Sequence, residues 1–315
     1  MATYKEIHGV NIQYRDSDAP EIEGDVWYNS STGKLRMYAS AGAWATGGTG
    51  NTVRQELGGD GPQTATFAVS GKVSAINTEN EHYDGSSWSE EADINVGRDG
   101  ISAVGTQTAS LAMGGYNSGN KDLSEEFNGT SWTEGNNLNS ARFGMGDAGT
   151  QTAGFAYGGH PNVVVIAETY NGTSWSETAD LNTGRYYLSG CGTTTAALAT
   201  GGTPPGSLDV NESFDGTSWT EVNDLNTGRT NIAAEFGITT AAIYTGGTDT
   251  GISAKTESWD GTSWTEVSDL LTANRLFMGG GSATSGIAAF GSIPAATGIT
   301  QEWSFSASVE TVSFD

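Results

Sequence analysis

The chain has 315 residues, of which 36% are hydrophobic, 16% are charged and 46 are glycine. Its 9 Trp, 11 Tyr and 10 Phe argue against a disordered or collagen-like chain, and small polar residues among aromatics favour short strands joined by tight turns. The formal net charge of −24 would repel phosphate backbones and anionic lipid, so we expect no nucleic acid binding. No apolar run approaches the ~18 residues of a membrane span, so we expect no membrane insertion.

Cysteine content and the first residues bear on where the protein works. Cys191 is the only cysteine, so no internal disulfide can form. The opening sequence MATYKEIHGV lacks the basic-then-apolar order of a signal peptide. We therefore expect synthesis in a cytoplasm without secretory export.

The first predicted element in chain order is a β-hairpin. Two alternating runs, Val26 to Tyr28 and Lys34 to Tyr38, flank the turn-forming segment from Asn29 to Gly33. We predict that residues 1–48 form an attachment region and that residues 49–315 form a second domain. The side chains expected to serve attachment are Trp27, Tyr28, Tyr38 and Trp44.

The rest of the chain is an internal repeat. The phrase aromatic-Asp/Asn-Gly-Ser/Thr-Ser-Trp occurs five times, for example as FNGTSW from Phe127 to Trp132. Its tryptophans are spaced by 44, 43, 44 and 45 residues: Trp88, Trp132, Trp175, Trp219 and Trp264. A second series opens a small-residue segment in six modules: Arg54, Arg98, Arg142, Arg185, Arg229 and Arg275. A structural role is expected for both series.

Each module has room for four strands. The first follows the arginine, the second ends in Gly-Gly, the third ends before Asp/Asn-Gly, and the fourth begins at the tryptophan. No segment keeps a 3.6-residue apolar period, so almost no helix is expected. Four strands at this period predict an all-β, six-bladed β-propeller with four antiparallel strands per blade. The tryptophans would fill the space between blades.

Closure of the ring has two possible sources. The last strand could come from the C-terminus, which is the arrangement we favour. Alternatively, the segment around Trp44 could supply it, since Trp44 lies 44 residues before Trp88.

The repeat resembles known families. Gly-Gly at the end of a second strand, followed by an aromatic and a tryptophan, resembles kelch repeats, although the period is shorter than the ~50 residues typical of kelch. The closer likeness, over residues 44 to 310, is to kelch-like proteins of marine tailed phages, carried by TSWTEGNNLNSARFGMGDAGTQTAGFAYGG from Thr130 to Gly159. The segment from Gly24 to Tyr38 is similar to hairpins of phage tail-fibre and virion proteins.

The resemblance implies a virion structural protein, released by lysis. Residues 1–48 would bind other virion proteins or a second copy, giving a homo-oligomer on the particle. The propeller would be a tail-fibre, tail-associated or capsid-attached knob that binds host-surface glycan or protein. A purely structural decoration or neck protein and a glycan-active enzyme are the alternatives.

The motifs of enzymatic propellers do not fit. Ser213 to Trp219 is one residue short of a sialidase turn, and His8, His82 and His160 lie in unrelated contexts. No nucleophile–His–acid set is visible, so we expect no catalysis. Glu90, Glu91 and Asp93 could attract Ca²⁺, but without a ligand-rich loop neither metal nor cofactor is assigned.

The segments after Gly-Gly differ most between modules. They should emerge on one rim, and variable loops on a rigid scaffold are typical of binding proteins. The residues expected to make contacts are Tyr116, His160, Pro161, Pro204, Asp209 and Asp249.

Overall fold

A computed structural model describes residues 13–17, 26–204, 206–231 and 234–311, and it contains strands and turns but no helix in these ranges. The chain divides into two compact units, Met1–Gly42 with Phe305–Asp315 and Ala43–Ser304. The first strands are β1 Gln13–Arg15, β2 Val26–Asn29 and β3 Lys34–Thr46.

The remaining described strands recur in groups. They are β4 Gly58–Asp60, β5 Phe67–Val69, β6 Asn80–Tyr83, β7 Trp88–Glu91, β8 Ser102–Thr106, β9 Ala109–Met113, β10 Ser124–Phe127, β11 Trp132–Glu134, β12 Gly146–Thr150, β13 Ala153–Tyr157, β14 Ala167–Tyr170, β15 Trp175–Glu177, β16 Ser189–Thr193, β17 Ala196–Thr200, β18 Asn211–Phe214, β19 Trp219–Val222, β20 Ala234–Ile238, β21 Ala241–Thr245, β22 Thr256–Trp259, β23 Trp264–Val267, β24 Met278–Ser282, β25 Ser285–Ala289 and β26 Thr300–Thr311.

In the small unit, β2 and β3 form an antiparallel hairpin and β1 adds in parallel to β2. The turn between β2 and β3 is closed by the Asn29 side chain, whose Oδ1 accepts bonds from the amides of Ser31 and Thr32 at 3.0 Å. Trp27 is fully buried and Arg15 lies over its ring, 5.4 Å from the centroid. The side chain of Tyr38, predicted to serve attachment, lies outside the described residues.

The large unit is an all-β, propeller-like set of antiparallel sheets. Strands β4 to β23 form five four-stranded sheets, each in chain order. The sixth has six strands in the order β1-β2-β3-β26-β25-β24, so the strand that follows β26 in the sheet comes from the N-terminal part of the chain. The expectation that the C-terminus would supply the fourth strand is therefore wrong, because β26 pairs with β25 and occupies the third place. Trp44 lies in β3, and its position in this sheet corresponds to the position of Trp88 in the first sheet.

Local sequence explains the hairpins. In the third-to-fourth-strand turn of the first sheet, the Asp84 carboxylate accepts hydrogen bonds from the amides of Ser86 and Ser87, both at 2.8 Å. Gly85 adopts a φ of +91°, a region that glycine enters without strain. The Gly-Gly pairs are also left-handed, and a Cβ on Gly115 would come within 2.8 Å of Arg98 Cβ.

The repeated tryptophans lie between consecutive sheets. Trp132, in the second sheet, packs in one cluster with Phe67 and Val69 of the first. The same arrangement recurs for the other members, and all five are only 5–6% exposed: Trp88, Trp132, Trp175, Trp219 and Trp264. Each indole therefore joins its own sheet to the preceding one.

Candidate functional site on the loop face

Buried ion pairs hold the loops that enter each sheet. Arg98 is fully buried and its Nη1 donates to Glu125 Oε1 at 2.7 Å and to the Val96 carbonyl at 3.1 Å. Glu125 also accepts from the amide of Asn95 at 2.9 Å. Four other pairs repeat this arrangement: Arg54–Glu81, Arg142–Glu168, Arg185–Glu212 and Arg229–Glu257. Each arginine thus ties its entry loop to the third strand of its own sheet.

The sixth repeat departs from this series. Asn274 is fully buried at the position of the arginine, and Gln301 stands at the position of the glutamate. Residue type had assigned Arg275 to the series, and that assignment is wrong. Arg275 bridges to Ser292, as Asp99 does to Tyr116, so it belongs one position further on. Asn274 follows Arg229 by 45 residues, closer to the 43 or 44 of the other repeats than the 46 residues that separate Arg229 from Arg275.

The residues just after these buried positions form one surface, which we call the loop face. Each pairs with the first residue after Gly-Gly, or after its counterparts Ser70-Gly71 and Phe290-Gly291 in the first and sixth repeats. The pairs are Gln55–Lys72, Asp99–Tyr116, Phe143–His160, Tyr186–Thr203, Thr230–Thr248 and Arg275–Ser292. Because the same bridge recurs in all six repeats, the face is a regular frame on which side chains of different chemistry stand.

An inner ring of backbone lies next to this frame. It consists of Glu56, Gly100, Gly144, Tyr187, Asn231 and Leu276, and all six have positive φ between 51° and 64°. Amide-to-carbonyl bonds of 2.7 to 2.9 Å join neighbours, from Gly100 to Glu56, from Gly144 to Gly100 and from Tyr187 to Gly144. A bulky residue with positive φ is strained, and such strain often marks functional positions.

Five rings form a continuous cluster on the loop face, here named the aromatic ridge: Tyr116, Phe143, His160, Tyr186 and Tyr187. Phe143 lies 5.6 Å from Tyr116, 4.9 Å from His160 and 6.0 Å from Tyr187 between ring centroids. Tyr186 contacts both His160 and Tyr187 at 5.3 Å. Tyr116 is 40% exposed and the other rings are partly exposed.

Two glycines of the inner ring make room for the ridge. A Cβ on Gly100 would approach the Phe143 ring to 2.9 Å, and a Cβ on Gly144 would approach the Tyr187 ring to 2.7 Å. Neither ring could keep its place over an alanine, so the glycines and the aromatics form one arrangement.

A charged group borders the ridge. Lys72 Nζ lies 2.7 Å from Asp99 and 3.0 Å from Glu56. Burial raises the pKa of Glu56, an effect that Lys72 opposes. Burial also raises the pKa of Tyr187 well above its usual value, and the carboxylates of Glu56 and Asp99 add to this. The group therefore places two buried carboxylates and one partly exposed ammonium beside the aromatic rings.

The structure places the predicted contact residues in different surroundings. Tyr116 and His160 belong to the ridge, and Pro161 follows His160 through a cis peptide bond. Pro204 follows Thr203, also in cis, and Asp209 is exposed. Asp249 lies 3.7 Å from Lys255 in the fifth repeat, outside the ridge.

Sequence reasoning missed Phe143, Tyr186 and Tyr187. Their signal was the sharp change of residue type directly after an otherwise constant arginine, as in RFG and RYY.

Two cavities of about 60 and 140 Å³ lie between the first strands of the sheets. Both are lined by Asp147 and Glu235, and the larger also by Asp60. Burial raises the pKa of Asp147 and of Glu235 to about 8, and the pKa of Asp60 is raised for the same reason. Glu235 is 7% exposed, and its Oε1 accepts from Thr200 Oγ1 at 3.0 Å.

The acidic groups do not gather into a metal centre within the described ranges, where no three His, Cys, Asp or Glu side chains are placed to hold an ion together. Asp93 accepts a bond from Thr78, and Glu90 and Glu91 point to solvent. In the same part of the chain there is no helix of the length and apolar character required to cross a bilayer. No protein-family model matches the chain, and a search of curated proteins finds no significant match.

Proposed function

We propose that this chain is a phage virion structural protein. In this proposal a closed, six-bladed, kelch-like propeller presents the loop face to the host surface. Residues 1–48 bind other virion proteins or further copies of the chain on the particle. The observation that carries the proposal is the aromatic ridge, a partly exposed cluster of rings on a rigid, regular frame.

Several contacts support a closed ring of six blades. The Glu56 amide donates to the Leu276 carbonyl at 2.8 Å, which joins the first repeat to the sixth. Trp88 of the first sheet lies 4.8 Å from Phe290 of the sixth between ring centroids. Strand β24 contacts β4, as each first strand contacts the next. These contacts leave no first strand without two neighbours.

Binding is supported by the chemistry of the loop face. Aromatic side chains dominate the energetics of protein recognition sites because they bury much surface and lose little conformational entropy. Here Phe143 and His160 are joined by two backbone hydrogen bonds, and the Tyr187 amide donates to the Gly144 carbonyl of the preceding repeat at 2.7 Å. The ridge is therefore ordered before it meets a partner, which lowers the entropic cost of binding.

The virion assignment draws on the phage-like residues from Gly24 to Tyr38 and from Thr130 to Gly159. In the small unit Tyr14 is 76% exposed and lies 5.3 Å from Tyr28, so its ring is available to a partner protein. The proposal is of binding without turnover and without a cofactor.

Binding of the labelled full-length protein to host cells tests the display function. We expect Tyr116→Ala and Tyr186→Ala to lower cell binding by at least tenfold, since both rings belong to the ridge. The matched control is Ile238→Ala, an exposed apolar residue (56%) at the opposite end of a first strand. Equal binding by all variants would contradict a role for the loop face. Failure of the wild type to bind would favour a purely decorative protein, and hydrolysis of host glycan would favour an enzyme.

Attachment is tested on particles by substitution in the full-length chain. We expect Tyr14→Ala to lower the copy number per particle, measured by quantitative mass spectrometry, while its thermal unfolding stays unchanged. Full incorporation of this variant and of Tyr28→Ala would contradict attachment through these side chains, and absence of the protein from particles would reject the virion assignment.

A further inference from the structure

The composition of the aromatic ridge and its border restricts what it can bind, and this inference rests on the proposed function. We propose that the ridge recognises a sugar ring of an uncharged host-surface polysaccharide. Tyr116 and Tyr186 would stack on the carbon–hydrogen face of the sugar, and the partly exposed Lys72 ammonium would donate hydrogen bonds to its hydroxyl groups.

The ridge offers the two surfaces that a sugar ring requires. A pyranose has an apolar face of C–H groups and an edge of hydroxyls, so its site combines flat aromatic rings with polar groups at their border. Asp99 is the backbone bridge partner of Tyr116, with 3.0 Å from its amide nitrogen to the tyrosine carbonyl oxygen, and its side chain is buried. The buried Asp99 carboxylate lies 2.7 Å from the Lys72 ammonium and so restricts its position at the border of the ridge.

Charge selects against acidic glycans. The chain carries a net charge of −24, and the group beside the ridge has two carboxylates against one ammonium. A polysaccharide rich in uronic or sialic acids would be repelled over roughly a Debye length of ~8 Å at physiological salt. An uncharged chain meets no such penalty, and its repeated units allow several copies on one particle to bind together.

The fixed geometry of the rings also suits a small, rigid ligand. Tyr187 has a φ of +51° and its ring lies over Gly144, while the Phe143 ring lies over Gly100. These close approaches hold the rings at set tilts, such as 61° between Tyr116 and Phe143. A sugar ring stacks on one or two such surfaces without requiring the others to move. A protein receptor, whose interface also favours aromatics, is the competing occupant.

The test uses the full-length protein and defined probes: isomaltotetraose and chitotetraose as neutral oligosaccharides and tetragalacturonate as the acidic one, extended to an array of neutral and acidic bacterial glycans. Affinity is measured by isothermal titration. We expect binding to at least one neutral glycan on the array and none to tetragalacturonate. Tyr186→Ala should weaken the neutral interaction about tenfold or more, and Tyr186→Phe, which keeps the stacking ring, less than threefold.

Two controls accompany this test. Ile238→Ala should bind as the wild type does. Thermal unfolding shows whether each variant folds, and if Tyr186→Ala does not fold, Tyr116→Ala replaces it. Cell binding that survives periodate oxidation of the host glycans, together with no glycan binding at millimolar concentration, would overturn the sugar inference but leave the display function standing. Preference for acidic glycans would also overturn it. If the wild-type protein does not bind untreated host cells at all, the display function itself is rejected.

Discussion

In the first five repeats a buried arginine pairs with a buried glutamate, whereas in the sixth the same positions hold Asn274 and Gln301. The hydrogen bonds are nevertheless kept. Arg98 donates to the Val96 carbonyl at 3.1 Å, and Glu125 accepts from the Val96 amide at 3.3 Å. Gln301 alone satisfies both groups of Thr272, at 3.1 and 3.0 Å. A neutral amide thus replaces two charges at once.

The comparison shows that the pair is a unit. A buried charge that loses its partner is costly, while replacing both charges together can be nearly neutral. Asn274 also keeps a second hydrogen bond of the series. Arg142 donates to the carbonyl of Gly158, and Asn274 Nδ2 donates to the corresponding carbonyl, that of Phe290, at 2.6 Å. These residues therefore serve to hydrogen-bond the backbone amides and carbonyls of the entry loop. Both an ion pair and a pair of amide side chains make these bonds.

The sixth sheet differs in a second way, because strands from both ends of the chain complete it. We expect deletion of residues 1–48 to abolish cooperative unfolding of the large unit, because it removes β3 and with it Trp44. This indole is 7% exposed and lies 5.4 Å from Trp303 between ring centroids. Circular dichroism during heating measures the effect. A deletion variant that unfolds as sharply as the full chain would show that β3 is dispensable.

Breaking one ion pair should have the next largest effect. Arg98→Ala leaves Glu125 buried without its cation, so we expect a loss of about 3–5 kcal/mol in the free energy of unfolding. Asn274→Ala removes only neutral hydrogen bonds and should cost about 1–3 kcal/mol. Urea denaturation of both variants measures the difference. Equal losses would mean that charge plays no special part in the first five repeats.

Replacing the pair as a unit sharpens the comparison. We expect R98N with E125Q to lose at least about 2 kcal/mol less than the sum of the two single substitutions, because neither group is then left as an unpaired charge. A double-mutant cycle in urea gives this coupling energy. Additive losses would contradict the interpretation that the sixth repeat is a paired replacement.

A buried carboxyl group outside these pairs, that of Glu235, gives the smallest predicted effect. Burial raises the pKa of Glu235 to about 8, with Asp147, Cys191 and Arg185 as its charged or titratable neighbours. The folded state therefore binds more protons than the unfolded state between about pH 4.5 and 8, so stability is highest below this range and falls as pH rises through it.

We expect Glu235→Gln to reduce that fall by about 1–2 kcal/mol, less than the full linkage value because local relaxation screens the charge. Urea midpoints at pH 5 and pH 9 measure it. Glu221→Gln, at an exposed position, is the matched control and should leave the pH dependence unchanged. An unchanged profile for Glu235→Gln would show that the carboxyl is already ionised at pH 5.

Much of the scaffold could be predicted, because its causes are local. The Asp84 side chain and the conformational freedom of the Gly85 backbone close a turn without help from other modules. The recurrence of Trp at a near-constant period marks each fourth strand. Arg275 was misassigned because the series was assembled by residue type, whereas strand pairing with Ser292 places Arg275 one position further on. Phe143 and Tyr187 were missed because their neighbours in the ridge come from other repeats.

By itself, the sequence determined that the chain is built of strands, where its turns lie and which indoles are buried, since these follow from residue type and period within one module. Tertiary structure alone decided which end of the chain completes the sixth sheet and which side chains meet on the loop face. Both depend on contacts between modules, and residues of separate modules meet there only after the sheets have packed side by side.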